Sequence, residues 1–338
     1  MSIRGKLLGH PGADNALLAT VDTGQSQHRI LFDCGQGCLN PLRQSDIQSI
    51  EHLCFSHFHM DHVSGFDSFF RHTYNRPEVP VQVWGPEQTI EVMGNRFRSF
   101  TWNLHKRQPG EWIVRELRDD TIFGARFRTR EAFAEAHEMT ARKCGNNLVF
   151  STPAFRIEAM PLPHHTISSL AYRVVEADRV NINPEALKKS RLAPGKWLQA
   201  VTDTNSGAGQ TVEVDGQHLS IEKLREDLLT TSPGESIAYL TDFRIEPGSS
   251  EWQQVTDWLS GTDLLVVECQ YHSRDHALAV RNGHMTASEV GKLAVESEVR
   301  QIMPMHLSRR YGREEWAELL AEVKTHFPGA AFPEHWKV

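Results

Sequence analysis

Four potential metal ligands fall within the segment His57-Phe58-His59-Met60-Asp61-His62. The largely apolar run just before it, residues 52–56, predicts a short β-strand, so the segment lies at the carboxyl end of that strand. In an extended chain the first two histidines point the same way, whereas the last two residues face a neighbouring point. Such a segment can serve two adjacent metal ions but cannot fill both coordination shells. Further ligands must come from distant parts of the chain. A solvent-facing run of polar residues is the alternative interpretation.

The overall composition bounds the class of protein. The chain has 338 residues and a formal net charge of −7, from 36 Lys and Arg against 43 Asp and Glu. This acidic balance speaks against a general basic coat for nucleic acid. The sequence start lacks the apolar core of a signal peptide, and the apolar runs fall well short of the roughly 18 residues of a membrane helix. With five cysteines that lack the spacing of a zinc knuckle, the sequence predicts a reduced, cytoplasmic protein.

Strands alternate with helical patterns in both halves of the chain. Residues 236–241 and 263–268 are apolar runs that predict strands, and Thr286-Ala-Ser-Glu289 is a capping box that opens a helix. We therefore expect one α/β domain with layered sheets over residues 1–338. Residues 111–150 mix charges with aromatics and are interpreted as an insertion. Residues from about 176 to 235 are polar and rich in turns, and are interpreted as a protruding, arm-like excursion.

Nearly the whole chain resembles the metallo-β-lactamase superfamily, whose signature is H-x-H-x-D-H, and within it the ribonuclease Z (tRNA 3′-endonuclease) branch. Besides the segment at 57–62, the matching motifs follow in the order of that family: Asp33-Cys-Gly-Gln-Gly37, Trp84-Gly-Pro86, His165-Thr-Ile-Ser-Ser-Leu-Ala-Tyr-Arg173, Thr241-Asp242, Gly283-His-Met-Thr286 and Met305-His-Leu-Ser-Arg-Arg-Tyr311. The resemblance implies the four-layer αββα sandwich of this α/β fold. It also implies a metal-dependent phosphodiesterase or endoribonuclease in which two metals activate a hydroxide.

The resemblance implies two divalent metal ions, with zinc as the default for His and Asp ligands and manganese or iron as alternatives. Asp242 would bridge the two ions. His165 is preferred over His164 as a ligand because it precedes the Tyr172-Arg173 pair by the family's seven residues. The first ion would bind His57, His59 and His165, and the second ion would bind Asp61, His62 and His306.

The same resemblance assigns roles around the metals. Asp61 would also orient the nucleophile or act as the base. His284, just before the helix capped at Thr286, would contact the scissile phosphate or protonate the leaving oxygen. Glu268 would orient His284, with a strand-end carboxylate of no catalytic duty as the alternative, and Asp33 would hold the ligand loop by hydrogen bonds. Three residues are expected to contact the substrate: Arg309, Arg310 and Tyr172.

Three functions remain open from the sequence. The leading hypothesis is a ribonuclease Z-like phosphodiesterase, with precursor tRNA as the substrate and a homodimer as the family's assembly. The alternative is another hydrolase of this fold, acting on a small phosphodiester, a cyclic nucleotide or an ester. A non-enzymatic scaffold is disfavoured because the ligand set is complete. The acidic net charge weakens the tRNA assignment more than it weakens phosphodiester chemistry, because tight RNA binding draws heavily on phosphate contacts.

Overall fold

The computed structural model describes residues 2–77, 79–203 and 209–338. It divides into two compact units, Met1–Val175 with Glu235–Val338, and Glu176–Gly234. The second unit nearly coincides with the excursion expected at 176–235, of which residues 204–208 lie outside the described part. Whether the units fold as one domain stays a prediction, because compactness does not measure independent folding.

The larger unit contains an eight-stranded sheet within the described residues, and its strands follow chain order in space. The middle strands β3 to β6 run parallel to one another, so their carboxyl ends lie at one edge of the sheet. The segment interpreted as an insertion supplies the strands β6 to β8. The strands are β1 (Ser2–Gly9), β2 (Asn15–Asp22), β3 (Gln27–Phe32), β4 (Ile50–Cys54), β5 (Val81–Pro86), β6 (Glu111–Arg118), β7 (Thr121–Arg128) and β8 (His137–Lys143).

Both faces of the sheet are buried along its inner strands β2, β4 and β5. Leu8, Leu18 and Leu31 pack on one face with the helices, whereas Leu7 and Leu17 point to the opposite face, as the alternation along a strand requires. This explains the continuous apolar stretches at residues 16–19 of β2 and 30–32 of β3. The helices are α1 (Gln44–Gln48), α2 (Met60–Val63), α3 (Phe66–Thr73) and α4 (Thr89–Arg98).

A second sheet of the larger unit begins with β9 (Leu148–Ser151), β10 (Phe155–His164) and β11 (Ile167–Glu176). The chain then forms the smaller unit, which has its own apolar cluster around Trp197, Val201 and Leu224. The elements of the smaller unit are β12 (Arg179–Ile182), α5 (Pro184–Ser190), α6 (Trp197–Thr202), β13 (Thr211–Val214), β14 (Gln217–Ser220), α7 (Ile221–Leu228) and β15 (Leu229–Ser232).

The chain returns to complete the second sheet, which has the order β18-β17-β16-β11-β10-β9 in the described residues. Strands β16 to β18 are parallel, so their carboxyl ends also lie at one edge. The predicted capping box is confirmed, since Thr286 and Glu289 bond reciprocally at the start of α10. The elements are β16 (Ser236–Leu240), α8 (Ser250–Leu259), β17 (Leu264–Glu268), α9 (His276–Asn282), α10 (Ala287–Glu296), β18 (Gln301–Met305) and α11 (Arg313–Lys324).

The two sheets pack face to face. The ring of Phe32 in β3 lies 5.5 Å from the ring of Tyr172 in β11 and 5.6 Å from that of Tyr239 in β16. Strand β16 is buried throughout, because the first sheet covers one face and α8, α10 and α11 pack on the other. The predicted four-layer αββα sandwich is confirmed. Among the helices of the described residues, none is long and apolar enough to cross a membrane.

Candidate metal centre

The candidate ligands lie where parallel strands end. The segment 57–62 follows β4, Asp242 follows β16, and His306 follows β18 directly. Asp242 and His306 have left-handed backbones, with φ of 51° and 52°. Residues other than glycine rarely adopt this conformation, and surrounding contacts must hold them in it, most often at functional sites. The backbone therefore marks both strand ends as candidate functional positions.

These strand ends bring the ligand atoms into two neighbouring groups, and Asp242 of the first group also lies close to the second. The first group places one ligand atom from each of His57, His59, His164 and Asp242 within 4.8 Å of one another, and Asp61, His62 and His306 form the second group. Asp242 Oδ2 also lies 3.1 Å from His62 Nε2 and 3.5 Å from His306 Nε2. The position of Asp242 between both groups supports its expected bridging role.

The structure selects His164 where the sequence favoured His165. Leu162 and His164 are buried and Pro163 is exposed, so the alternation of β10 directs His164 inward. His165 has a φ of 53° in the turn after β10, and it is exposed. This corrects the sequence-based choice. The spacing to Tyr172-Arg173 counts residues along the chain, whereas the turn decides which imidazole faces the cluster.

Three of the ligand imidazoles are held through Nδ1 by an acceptor, which leaves Nε2 for the cluster. The acceptors are the Ser56 hydroxyl for His57 (3.0 Å), the Asp33 carboxylate for His62 (2.7 Å) and the Gly283 carbonyl for His164 (3.0 Å). Nδ1 of His306 lies 2.9 Å from the side-chain amide nitrogen of Gln270. Metal-binding histidines are almost always oriented in this way, because the contact sets both the tautomer and the direction of the ring.

The cluster passes a chemical test for metal binding. Among the described residues, Nε2 of His57 is buried without a hydrogen-bond partner, and Nε2 of His62 is buried beside Asp242 Oδ2 without a well-directed hydrogen bond. Such orphaned polar atoms are rare in folded proteins, and a metal ion would satisfy them. Burial, followed by the neighbouring His62, lowers the pKa of His57 to about 2, so this imidazole is neutral, as a metal ligand must be.

The electrostatics of the cluster also favour a bound cation. Burial raises the pKa of Asp61 and of Asp242, but the imidazoles of His306 and His62 outweigh it and hold both pKa values below the usual range. Burial lowers the pKa of His62, but Asp242 and Asp33 outweigh it and raise that pKa. The carboxylates thus stabilise positive charge at this position. The donor set of nitrogen and oxygen ligands fits zinc and related divalent ions.

His284 and Glu268 form a buried pair beside the cluster. Nδ1 of His284 lies 2.8 Å from Glu268 Oε2 and 3.8 Å from Asp242 Oδ1. Burial lowers the pKa of His284, but Glu268 and then Asp242 outweigh it and raise that pKa. Glu268 is fully buried, and its other oxygen accepts from the backbone N–H of Phe243 at 2.9 Å. This geometry supports the orienting role over a strand-end carboxylate without a duty.

Asp33 lies beneath the ligand loop, outside the two ligand groups. It is fully buried and accepts hydrogen bonds from the backbone N–H of Ser56 (2.7 Å), the Ser56 hydroxyl (2.7 Å), Nδ1 of His62 (2.7 Å) and the Tyr239 hydroxyl (2.8 Å). A carboxylate with four donors is held rigidly. The contacts support the expected role of Asp33 in positioning the loop.

The three expected substrate-binding residues lie in different environments. Arg309 lines a cavity of about 500 Å³ together with Asp61 and His306, and its guanidinium lies 2.8 Å from Asp14. Arg310 is exposed, and its backbone N–H donates to the Ser308 hydroxyl at 3.3 Å. Tyr172 is fully buried, and its hydroxyl donates to the carbonyl oxygen of Phe55 at 2.9 Å. The expected contact between Tyr172 and substrate is therefore wrong, because its ring lies between the two sheets.

Several supporting residues were missed from the sequence. Gln270 and Gly283 contact ligand imidazoles, and the Asn15 side chain accepts from the backbone N–H of His306 at 3.0 Å. Gln270 lies two residues after Glu268, where β17 ends, and this position after a strand end could have identified it from the sequence. Asn15 and His306 are 291 residues apart, so that contact leaves no local pattern in the sequence.

Comparison with known proteins adds a family context. The sequence profile described as a beta-lactamase superfamily domain matches residues 28–182. The ribonuclease Z of Deinococcus radiodurans is 37% identical over 98% of this chain and 97% of its own length. The ribonuclease Z of Thermobifida fusca is 27% identical over 89% of this chain and 82% of its own length.

Solved structures agree on the fold. The metallo-beta-lactamase fold protein YhfI from Bacillus subtilis matches with a TM-score of 0.56 and 16% identity, covering 98% of this chain and 96% of that one. The short form of human tRNase Z matches with a TM-score of 0.55 and 17% identity, covering 92% of this chain and 94% of that one. At these identities the structural matches show a shared fold.

Proposed function

Because the chain belongs to the ribonuclease Z family of the beta-lactamase superfamily, we propose that it is a metal-dependent endoribonuclease that cleaves tRNA precursors. Membership rests on 37% identity to a ribonuclease Z over nearly the full length of both chains. The observation that carries the activity is the pair of neighbouring ligand groups, with Asp242 close to the histidines of both. Two metal ions held in this way suit the displacement of an oxygen at a phosphodiester.

We assign the metal ligands from the geometry. The first ion would be held by His57, His59, His164 and Asp242, and the second by Asp61, His62, His306 and Asp242. When bound, the ions would supply Lewis acidity and a hydroxide nucleophile at neutral pH. Zinc is our first choice, because neutral imidazoles and carboxylates are its usual ligands in catalytic sites, with manganese or iron as alternatives.

Side chains around the metals would orient the nucleophile, donate a proton and contact the substrate phosphate. The half-exposed carboxylate of Asp61 opens to the cavity that Arg309 lines, so it would orient the nucleophile from that side. His284 would donate a proton to the leaving oxygen, with Glu268 fixing its ring through Nδ1. Arg309, held by Asp14, would contact a phosphate of the RNA, because a guanidinium pairs well with phosphate oxygens.

We also propose that the smaller unit, Glu176–Gly234, contacts the tRNA, as the family's arm does. Four of its exposed basic residues are close in sequence, namely Lys188 and Lys189 in α5, Arg191 directly after the helix, and Lys196. Phosphate contacts from such residues would give the binding a marked salt dependence.

We further propose that the protein is a homodimer, because the family it resembles forms dimers. A cytoplasmic location is proposed from the sequence. Light scattering of the purified protein measures its oligomeric state.

A substrate panel tests the function. Purified protein is incubated with precursor tRNA, bis-p-nitrophenyl phosphate, cyclic nucleotides, a lactone and a thioester, each with and without a chelator. We expect cleavage of precursor tRNA, loss of activity with chelator, and recovery on addition of zinc or manganese. Asp242→Asn should lose both activity and bound metal. Ester turnover without phosphodiester turnover would overturn the proposal in favour of another hydrolase of this fold.

A further inference from the structure

A second cleft opens on the other side of the metal centre from Arg309. It has a volume of about 570 Å³ and shares His57 and His59 with the metal centre. Its walls come from the turn after β5, the turn after β6 and the start of β11, so all of it lies in the larger unit. The cleft has the size of a small-ligand site, and it adjoins the position proposed for the first metal ion.

The lining of the cleft combines apolar and polar side chains. Phe58, Ile167 and Leu170 form apolar surface, and Gln88 and Ser168 supply hydrogen-bonding groups. Ile167 remains 42% exposed, although it is a large aliphatic side chain. An exposed aliphatic surface beside polar groups suits a flat, partly polar ligand such as a nucleobase, which buries its faces and bonds through its edge.

The charge of the cleft argues against phosphate as its occupant. Arg118 is its cation, and it is engaged by the buried Glu116, whose Oε1 lies 2.5 Å from Arg118 Nε. Glu87 lies 3.9 Å from Arg118, and Asp119 also lines the cleft. With Glu87 and Asp119 against one already paired guanidinium, the part of the cleft away from His57 and His59 carries no surplus of positive charge. A neutral base fits that part better than a phosphate does.

The cleft is also preformed. The turn after β5 is fixed because Glu116 Oε2 accepts from the backbone N–H of Ile90 at 2.9 Å. The guanidinium of Arg118 stacks over the ring of Phe123 at 4.7 Å, which holds the opposite wall. Gln88 and Asp119 have left-handed backbones, with φ of 77° and 50°. A wall held in this way needs little ordering when a ligand binds.

We propose that this cleft binds the base of one unpaired nucleotide next to the scissile phosphate, an inference that rests on the proposed RNA hydrolysis. The base would pack on Ile167 and Phe58, and its edge would meet Gln88 and Ser168. Packing of single-stranded bases on protein side chains tolerates sequence variation, so the cleft would select for an unpaired nucleotide more than for one base.

The test couples a protein change to an RNA change. The metal content of wild type and of Ile167→Ala is verified first. Both proteins are then assayed on a series of precursor RNAs, each of which has a single abasic nucleotide at a different position around the scissile bond. We expect one abasic position to lower wild-type kcat/KM roughly 5- to 100-fold. Ile167→Ala should lower kcat/KM on intact RNA but should show little further loss at that position. Val295→Ala, which truncates a 48% exposed aliphatic residue on α10, is the matched control.

Ile167→Asp is a second test variant. A carboxylate in the cleft would repel the RNA, and the protein should still fold because the side chain of residue 167 is exposed. We expect a rise in KM for intact RNA and a smaller rise for the RNA that is abasic at the affected position. Equal losses from abasic substitution in wild type and Ile167→Ala at every position would overturn the cleft assignment alone. Failure of the wild type to cleave any RNA would instead overturn the proposed function, and the cleft assignment with it.

Discussion

Nδ1 of His164 donates a hydrogen bond to the carbonyl oxygen of Gly283, at 3.0 Å and across 119 residues of sequence. This contact turns Nε2 of His164 toward His57, His59 and Asp242, where it completes a ligand group. The neighbouring imidazole of His165 lies outside that group. Replacing each of these two adjacent histidines in turn, and comparing the bound metal, therefore tests the proposed ligand set directly.

His164→Ala should lose metal, whereas His165→Ala should keep it. Removing one of four ligands from the first group leaves an incomplete shell, so we expect His164→Ala to bind about one ion per chain where wild type binds two. Elemental analysis of the purified proteins measures this, with His165→Ala as the matched control. Full metal content in His164→Ala together with loss in His165→Ala would restore the assignment of His165.

Asp33→Asn should weaken metal binding without removing a ligand. The amide cannot accept from all four donors around Asp33, so it loosens both the ring of His62 and the ligand loop. Loss of such a supporting contact lowers metal affinity by roughly 10- to 100-fold. Competition with a coloured chelator measures the affinity, and circular dichroism checks that the protein stays folded.

Asp46→Asn is the control for Asp33→Asn, because this half-buried aspartate lies in α1, away from the ligand loop. We expect no change in its metal affinity. Wild-type affinity in Asp33→Asn would show that the loop holds itself without this carboxylate.

The pair of His284 and Glu268 should act as one unit. His284→Ala removes the proposed proton donor, so kcat should fall by roughly 10²- to 10⁴-fold with metal content unchanged. Glu268→Gln should lower kcat by less. The double variant should be no slower than His284→Ala alone, because residues that act through each other are not additive. Independent, multiplying losses would show that Glu268 does not act through His284.

Tyr172→Phe should affect stability and leave kinetics unchanged. The buried hydroxyl donates to the carbonyl oxygen of Phe55, and its loss leaves that acceptor unsatisfied. We expect a decrease of about 1–2 kcal/mol in the free energy of unfolding, measured by urea denaturation. Both kcat and KM for precursor tRNA should match wild type. A raised KM would mean that Tyr172 contacts the substrate after all.

Lysines of the smaller unit should set the salt dependence of tRNA binding. If Lys188 and Lys189 contact phosphates, replacing both by alanine should reduce the slope of log affinity against log salt concentration by roughly one for each lysine. Filter binding at several salt concentrations measures the slope. Cleavage of a small phosphodiester should be unaffected, and an unchanged slope would remove these lysines from the RNA contact.

Much of the site was predictable because it is local. The motif at 57–62 supplies four of the seven proposed ligands from residue type and strand position, and the family resemblance adds Asp242 and His306 at two further strand ends. The capping box at Thr286 was visible for the same reason. Side-chain chemistry and hydrophobic pattern act over a few residues, and the sequence records both directly.

Other features depended on the packed structure. The choice of His164 over His165 follows from the turn after β10, and the burial of Tyr172 follows from the contact between the two sheets. Gly283 contacts His164 across 119 residues of sequence, and Asn15 contacts His306 across 291 residues. The sequence by itself determined which residue types can bind the metals and at which strand ends they lie. Only the tertiary structure decided which side chains face the centre, because side-chain direction depends on backbone turns and on non-local packing that no short pattern encodes.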